Sequence, residues 1–235
     1  MNSSQHVIQT EELVKTYEGI VPVKAVNKVN LTIEKGEFTA LVGPSGSGKT
    51  TLLNLIGGLD TPTSGRVLVN GQDITMLSKN EIIDFRLRNI GFVFQAYNLI
   101  PVLTARENVE FVMLLQKTPH ELRKSRVDQL LNQVGLMEQA NKKPGKLSGG
   151  QQQRIAVARA LASKPQFVLA DEPTANLDSK TATNLLDMMA KLNEEEGVTF
   201  IFSTHDQRVI ERARRVITLV DGAIESDQVQ EVLTA

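Results

Sequence analysis

One glycine-rich stretch decides the fold of this chain, Gly43-Pro44-Ser45-Gly46-Ser47-Gly48-Lys49-Thr50. It follows an apolar run, Phe38 to Val42, and leads into Lys49 to Ile56, where apolar residues recur with the period of a helix. Glycines let the backbone curl so that successive amide hydrogens face one anion, and the next helix directs its positive end to the same point. The stretch therefore predicts a strand, an anion-binding loop and a helix.

The loop matches the pattern of Gly, four residues and Gly-Lys-Ser/Thr that cradles nucleotide phosphates. We expect residues 43 to 50, together with Thr51, to contact ATP, with the Lys49 ammonium on the β and γ phosphates. The Thr50 hydroxyl is the expected ligand of Mg²⁺. A glycine-rich turn without a ligand is the alternative, and the strand and helix on either side of the loop argue against it.

A second apolar run, Phe167 to Ala170, ends in two carboxylates. Two acids after a strand are often a plain loop feature, but a phosphate loop in the same chain favours catalysis. Asp171 is expected to hold the magnesium ion directly or through water. Glu172, just beyond the strand end, is placed to polarise the attacking water as general base.

Further runs predict a mixed, mostly parallel sheet. Arg66 to Val69 followed by Asn70-Gly71 indicates a strand and a tight turn, hence an antiparallel β part near the N-terminus. Val198 to Ser203 indicates another core strand. The fold class is therefore α/β, a P-loop NTPase core.

A helical insert is predicted in the middle of the chain. Thr104 with Glu107, and Thr118 with Glu121, have the spacing of capping boxes, the second with Pro119 at the first helical position. Residues 104 to 134 should therefore be helical. The insert interrupts the α/β core.

Composition limits the classes of function. The 235 residues are 41% hydrophobic and 23% charged, which is typical of one globular domain. No apolar run approaches the roughly 20 residues of a membrane-spanning helix, and Met1 to Thr10 lacks the layout of a secretory signal, so we expect a cytoplasmic protein. A net charge of -1 gives no electrostatic reason to bind nucleic acid. The basic clusters Arg123 to Arg126 and Arg212 to Arg215 are interpreted as solvated helix faces.

Leu147-Ser148-Gly149-Gly150-Gln151 precedes a helical run from Gln152 to Ser163. Ser148 and Gln151 have capping-box spacing, so a well-capped helix alone would explain them. Two glycines in the first turn are poor helix formers, however, and a cap does not require them. They are explained if backbone amides there approach a phosphate closely.

With these motifs in this order, the chain resembles the ATP-binding-cassette proteins over essentially its whole length. Residues 147 to 151 are similar to the signature sequence of that family. The resemblance implies a single domain over residues 1–235. Its nucleotide-binding core would comprise about 1–95 and 165–235, and its helical signature subdomain about 96–164.

The resemblance also implies roles for single residues. Gln95 resembles the glutamine that contacts Mg²⁺ and the attacking water, and His205 resembles the histidine that touches the γ-phosphate. Asp178, in Asn176-Leu177-Asp178, resembles the D-loop residue near a dimer interface. Tyr17 resembles the aromatic that stacks on adenine, although a tyrosine there could also be edge packing.

In this family two copies enclose two ATP molecules. Ser148, Gly149, Gly150 and Gln151 of one copy then face the phosphate loop of the other. The resemblance thus implies a homodimeric ATPase that drives a separate integral membrane permease. It would lie at the cytoplasmic face of the inner membrane, held there by the permease.

Residues 57–65, 89–101 and 103–109 resemble the branch that handles lipoprotein release and macrolide export. Two alternatives stay open, a soluble cassette ATPase acting on DNA or the ribosome, and a nucleotide-binding regulator without turnover. The short spacing between Gln95 and Leu147 and the single phosphate loop argue against the first. The intact Glu172 and His205 argue against the second.

Overall fold

The computed structural model describes residues 6–230, so residues 1–5 of the Met1 to Thr10 stretch and residues 231–235 lie outside it. The strands are β1 (His6–Tyr17), β2 (Val23–Glu34), β3 (Phe38–Val42), β4 (Ser64–Val69), β5 (Gln72–Asp73), β6 (Ile90–Val93), β7 (Phe167–Asp171), β8 (Phe200–Ser203), β9 (Arg215–Val220) and β10 (Ala223–Val229). The helices are α1 (Lys49–Ile56), α2 (Lys79–Asn89), α3 (Ala105–Leu115), α4 (His120–Gln133), α5 (Gly149–Ala162), α6 (Ser179–Glu196) and α7 (Gln207–Arg212). Short 3-10 turns lie at Met137–Gln139 and Pro144–Lys146.

The core sheet has the strand order β10-β9-β3-β8-β7-β6. All neighbours pair in parallel except β9 and β10, which are antiparallel. The prediction of a mixed, mostly parallel sheet is confirmed. Because the carboxyl ends of parallel strands meet at one edge of a sheet, the residues that follow β3, β6, β7 and β8 come together there.

A second, antiparallel sheet has the order β2-β1-β4-β5. Asn70 and Gly71, with φ of 48° and 79°, form the predicted tight turn between β4 and β5, and Val69 pairs with Gln72 across it. The expected antiparallel N-terminal part is therefore confirmed.

Alternate residues of the central strands bury into two different cores. Phe200 and Phe202 of β8 pack toward helices α3 to α6, whereas Ile201 packs toward α1 and the antiparallel sheet. Period-two alternation is the geometry of a strand covered on both faces. Burying each such side chain stabilises the fold by about 1.5–3 kcal/mol. The core sheet is thus a middle layer, and its carboxyl edge is left free to carry a site.

The predicted helical stretch 104–134 is two helices, α3 and α4. The first capping box is confirmed, since the Thr104 hydroxyl accepts from the Glu107 amide at 3.2 Å and the Glu107 carboxylate accepts from the Thr104 amide at 2.7 Å. The second is wrong. Pro119 takes the cap position itself, without a side-chain cap, and the Thr118 amide donates instead to the Met113 carbonyl at the end of α3.

The interpretation of the basic clusters as solvated helix faces is also wrong in part. Arg215 lies in β9, and its guanidinium contacts Asp227 of the neighbouring strand at 2.7 Å and Glu37, 178 residues away in the sequence, at 3.0 Å. Hydrogen bonds that the guanidinium donates to Asp227, opposed by burial and reinforced by the charge of Glu37, raise the pKa of Arg215. Arg215 therefore ties β9 to β10 and to the start of β3.

Among residues 6–230, the structure has no helix with the length and apolar character needed to cross a membrane.

Candidate nucleotide site

A cleft of about 650 Å³ lies at the carboxyl edge of the core sheet. The phosphate loop between β3 and α1 forms one wall, and residues after β6, β7 and β8 form the other. The lining residues are Ala25, Gly43, Pro44, Ser45, Gly46, Gly48, Lys49, Thr50, Thr51, Gln95, Glu172, Ala175, Ser203 and His205. All of the predicted ATP-contacting residues except Tyr17 and Ser47 line this cavity, together with the three predicted catalytic residues outside the loop, Gln95, Glu172 and His205. Asp171, the predicted magnesium ligand, is not among the lining residues.

Two glycines let the phosphate loop lie directly on neighbouring backbone. A Cβ on Gly48, whose φ is 100°, would meet the Ala25 carbonyl oxygen at 2.0 Å. A Cβ on Gly43, whose φ is 146°, would meet the Leu219 carbonyl oxygen at 2.1 Å. A side chain at either position is excluded both by the close approach and by the left-handed backbone. The loop is therefore held between the antiparallel sheet and β9.

The loop concentrates hydrogen-bond donors at one point. Helix α1 begins at Lys49 without a side-chain cap, so the amides of its first turn have no intrahelical partner. The Lys49 ammonium donates to the carbonyls of Gly43 at 2.8 Å and Pro44 at 2.9 Å, across the loop. Unpaired amides and a fixed cation at a helix start form an anion site.

Oxygen ligands gather beside the loop. The Thr50 hydroxyl donates to both carboxylate oxygens of Asp171, at 3.2 and 3.3 Å. Gln95 lines the same cleft. Hydroxyl, carboxylate and amide oxygens are the donors that Mg²⁺ prefers, so this set of residues fits the ion.

Glu172 is held in an unusual backbone conformation. Its φ is 46°, a value that costs a non-glycine residue about 1–3 kcal/mol unless its surroundings impose it. Its amide donates to the Ser203 carbonyl at 2.9 Å, and its carboxylate accepts from the Thr204 hydroxyl at 3.3 Å. The other carboxylate oxygen lies 2.7 Å from Nδ1 of His205. The turn thus directs the carboxylate into the cleft beside the histidine.

Tyr17 does not line the cleft wall. Its hydroxyl donates to Asp60 at 2.8 Å, and the Lys15 ammonium lies 4.9 Å from the ring centre while binding Asp60 at 2.6 Å. Burial and the hydrogen bond to Asp60 raise the pKa of the Tyr17 hydroxyl. The residue is 42% exposed. Adenine stacking on Tyr17 stays a prediction, and its partners Lys15 and Asp60 were not foreseen.

The predicted cap at the start of α5 is confirmed. The Ser148 hydroxyl accepts from the Gln151 amide at 3.3 Å, and the Gln151 side chain accepts from the Ser148 amide at 3.0 Å. A Cβ on Gly149 would lie 2.7 Å from the Tyr97 hydroxyl, and one on Gly150 would lie 2.1 Å from Cγ2 of Thr181. Gly150 is therefore required for packing against Thr181, a reason that the sequence did not reveal, whereas the Tyr97 side chain could shift to admit a residue at position 149.

The segment around Asp178 begins α6. The Asp178 carboxylate accepts a hydrogen bond from the Thr181 amide at 3.0 Å, and bonding to Thr181 lowers the pKa of Asp178. Asn176 donates through Nδ2 to the Gln95 carbonyl at 2.9 Å. This segment is thus connected to the glutamine that lines the cleft.

A model of the family described as ABC transporter matches residues 26–175 of this chain. The chain belongs to the ABC transporter family. It is 47% identical over 221 residues to the lipoprotein-releasing system ATP-binding protein LolD 1 of Rhodopseudomonas palustris, covering 93% of this chain and 98% of that one. It is 45% identical over 222 residues to the macrolide export ATP-binding/permease protein MacB of Brucella abortus, covering 94% of this chain and 34% of that one.

Solved structures agree with this assignment. The ATP-binding cassette MJ0796, a protein of Methanocaldococcus jannaschii, superposes with a TM-score of 0.86 at 44% identity, covering 95% of this chain and 99% of that one. That structure is a dimer in a post-hydrolysis state bound to ADP and Pi. The predicted fold class and family are confirmed, and the chain is an ATP-binding ABC ATPase.

Proposed function

We propose that this chain is the ATP-hydrolysing subunit of a transporter, acting as a pair of copies on a separate membrane permease of the lipoprotein-release or macrolide-export type. One observation carries the proposal, the 2.7 Å contact of His205 with Glu172 in the cleft that the phosphate loop lines. A protein that only bound nucleotide would not need a carboxylate and an imidazole held together at the phosphate end. The names of the relatives from Rhodopseudomonas palustris and Brucella abortus support the branch.

The chemistry follows from the placement of the side chains. Glu172 accepts a proton from the water that attacks the γ-phosphate, and His205 holds the geometry of that group. Lys49 and the amides at the start of α1 offset the negative charge that develops on the transferring phosphoryl group. Thr50, Asp171 and Gln95 would hold Mg²⁺, which when bound neutralises charge on the phosphate oxygens.

A second copy completes the site. Ser148, Gly149, Gly150 and Gln151 do not line the cleft of their own chain, yet their amides begin a capped helix suited to a phosphate. The solved relative is a dimer, which supports a head-to-tail pair that encloses two ATP molecules. Asp178 would lie near that interface. Hydrolysis removes the phosphate that bridges the two copies, so the pair can reopen.

The proposal also divides the chain into a core of about 1–95 and 165–235 and a helical signature subdomain of about 96–164. Helices α3, α4 and α5 all lie between β6 and β7, in agreement with that division.

An apolar groove of about 430 Å³ lies where the two parts meet. Its apolar lining includes Leu59, Ile83, Leu87, Phe92, Phe94 and Leu115. Leu59, Ile83 and Leu115 are 44%, 55% and 51% exposed, which is an unusual concentration of apolar surface. Arg159 borders the groove and donates to the Tyr97 carbonyl at 2.9 Å, two residues after Gln95. We place the permease here, on the groove and on residues 96–107, so that docking reaches the cleft through Gln95.

Docking there would hold the chain at the cytoplasmic face of the inner membrane. A partner segment with an apolar face and an acidic residue fits the groove, because Arg86 and Arg159 border its apolar floor. Charge reversals at residues 96–107 should therefore disrupt coupled transport.

The proposal is tested by tagging the E172Q variant, expressing it in its native cell, adding ATP and identifying what copurifies from detergent-solubilised membranes. E172Q keeps the side-chain shape but removes the base, so the ATP-bound pair should persist. Recovery of one integral membrane protein supports the proposal, whereas recovery of nucleic acid or ribosomes alone would favour a soluble cassette. Steady-state phosphate release by the wild type separates both from a regulator without turnover.

A pair of matched substitutions tests the groove. L115E places a charge in the groove and should abolish recovery of the membrane protein. L122E places the same charge on α4 at a leucine that is 62% exposed and outside the groove, and should leave recovery unchanged. Equal recovery with both variants would place the permease elsewhere.

A further inference from the structure

Gln153 is a fully buried amide in α5, one turn after the signature glycines. Its Nε2 donates to the Pro173 carbonyl at 2.8 Å and to the Phe94 carbonyl at 3.4 Å. Pro173 directly follows Glu172, and Phe94 directly precedes Gln95. One side chain from the signature helix therefore contacts both loops that carry proposed catalytic residues.

The loop after β7 is held from its other side as well. The Thr174 hydroxyl donates to Asp206 at 2.6 Å, and the Asp206 amide donates to the Thr204 hydroxyl at 3.0 Å, next to His205. Gln153 and Asp206 thus form hydrogen bonds with two adjacent residues of this loop, Pro173 and Thr174. A displacement of α5 relative to the core sheet must pull on the peptide that follows Glu172.

The backbone conformation of Glu172 makes this residue sensitive to such a displacement. A non-glycine residue keeps a left-handed backbone only where its surroundings impose it. The hydrogen bond that holds the carbonyl of the next residue, Pro173, is part of those surroundings. The carbonyl is buried, so losing its donor would leave an unpaired acceptor in the interior. The carbonyl next to this left-handed residue is therefore held in place by the amide of Gln153.

Packing alone does not explain an amide here. Oε1 of Gln153 is buried and has no hydrogen-bond partner among residues 6–230. An apolar residue of the same length would fill the space without an unpaired acceptor. The hydrogen bonds of this side chain among residues 6–230 are therefore all made through its donor.

We infer that Gln153 is a positioning residue, which couples the placement of Glu172 and Gln95 to the position of the signature helix. This inference rests on the proposed function, since the signature is where the second copy would present its phosphate. When that phosphate draws Gly149 and Gly150, α5 moves as a rigid rod and the Gln153 amide carries the Pro173 and Phe94 carbonyls with it. Hydrolysis in one cleft then depends on what the same chain binds at its signature.

The first test is Q153M, which removes the amide with little change in volume. Turnover per site should fall about tenfold, the effect of losing an interaction near 1.4 kcal/mol, while the KM for ATP changes less than about twofold. Q116M is the matched control, because Gln116 also donates a side-chain bond to a backbone carbonyl, that of Leu87, far from the cleft. Wild-type turnover in Q153M would overturn the inference.

The Q153E variant tests whether the side chain at position 153 acts as a hydrogen-bond donor or only fills space. A protonated carboxyl can donate to the Pro173 carbonyl, whereas an ionised one repels it, and burial raises the pKa of a carboxyl. The ratio of Q153E to wild-type turnover should rise as pH falls from 8 to 6, and the ratio for Q153M should stay flat. A flat ratio for Q153E would contradict the role as donor.

Hydrogen exchange gives a readout that needs no turnover. In Q153M without nucleotide, the amides of Glu172 and of residues 174–176 should exchange faster than in the wild type and in Q116M. Unchanged exchange would overturn the inference by itself, whereas absence of phosphate release by the wild type would contradict the proposed function instead. If Q153M does not fold, Q153E at low pH provides the same comparison.

Discussion

Nδ1 of His205 lies 2.7 Å from a carboxylate oxygen of Glu172, yet the two side chains differ greatly in exposure, 77% for the histidine and 19% for the glutamate. The glutamate is fixed by its turn and by Thr204. The histidine is fixed mainly by the glutamate. A ligand at the cleft mouth therefore meets an exposed imidazole beside a largely buried carboxylate.

H205A should lower turnover by about 10²–10³-fold, the effect of losing one preorganised group that stabilises the transition state. ATP affinity should stay near that of the wild type, because the loop is intact. Phosphate release and equilibrium ATP binding measure the two effects separately. H120A is a matched control, since His120 is also exposed and lies 3.0 Å from the carboxylate of Glu121. Full turnover in H205A would exclude the assigned role.

K49A should weaken ATP binding itself. Hydrogen bonds to charged groups contribute about 1.5–3 kcal/mol, so the dissociation constant should rise about 10- to 100-fold. Titration calorimetry with the E172Q background would measure it without hydrolysis. K79A, at an exposed lysine outside the cleft, should bind ATP normally. Normal affinity in K49A would discredit the phosphate-loop assignment.

G150A should destabilise the chain although alanine is the better helix former. The new Cβ meets Cγ2 of Thr181 at 2.1 Å, and overpacking costs about 1–3 kcal/mol. That lowers Tm by several degrees, at about 2–4 °C per kcal/mol for a domain of this size. T181S removes the methyl group, so the double variant G150A/T181S should recover most of the loss in thermal unfolding. A rise in Tm for G150A alone would show that the packing argument is wrong.

Asp206 should contribute a stability that disappears in acid. Hydrogen bonds from Arg208, opposed by burial and aided by the Thr174 hydroxyl, lower the pKa of Asp206 to about 2 from its ordinary 3.8. A carboxyl whose pKa is lower in the folded state contributes fully above about pH 4 and loses that contribution as pH falls toward 2. D206N should therefore be about 1–2 kcal/mol less stable than the wild type at pH 6, and the difference should shrink below pH 4.

Urea unfolding from pH 6 to pH 3 would measure that difference. D84N is the control, because Asp84 pairs with Arg88 at the surface, 60% exposed, and should change stability little at any pH. A difference for D206N that grows in acid would contradict the assigned sign.

Features set by local sequence were predictable. The strand and helix around the phosphate loop, the turn at Asn70-Gly71 and the caps at Thr104 and Ser148 depend only on residues within a few positions. Thr118 and Glu121 have the same spacing as Thr104 and Glu107, but they form no capping box. The Thr118 amide is bonded instead to the Met113 carbonyl at the end of α3. The environment of the Arg215 side chain likewise depends on Glu37, a hydrogen-bond partner 178 residues away in the sequence.

The site shows the same division. Lys49, Asp171 and Glu172 could be predicted because their roles follow from position at a strand end or helix start. Gln153 could not, since a glutamine within a helix looks like a surface residue until α5 is packed on the loops that follow β6 and β7. Phosphate approach is the only role that the sequence predicts for Gly149 and Gly150, because it does not show that Tyr97 and Thr181 pack next to them.

The contact of Gly43 and Gly48 with carbonyls of opposite layers has a consequence for specificity. The floor of the cleft acquires its shape when the chain folds, so no binding free energy is spent on arranging it. A change at the floor would damage the fold and the ligand together. We therefore expect preference among different nucleotides to depend on residues outside the loop, such as Tyr17, the predicted adenine-stacking residue, with its partners Lys15 and Asp60.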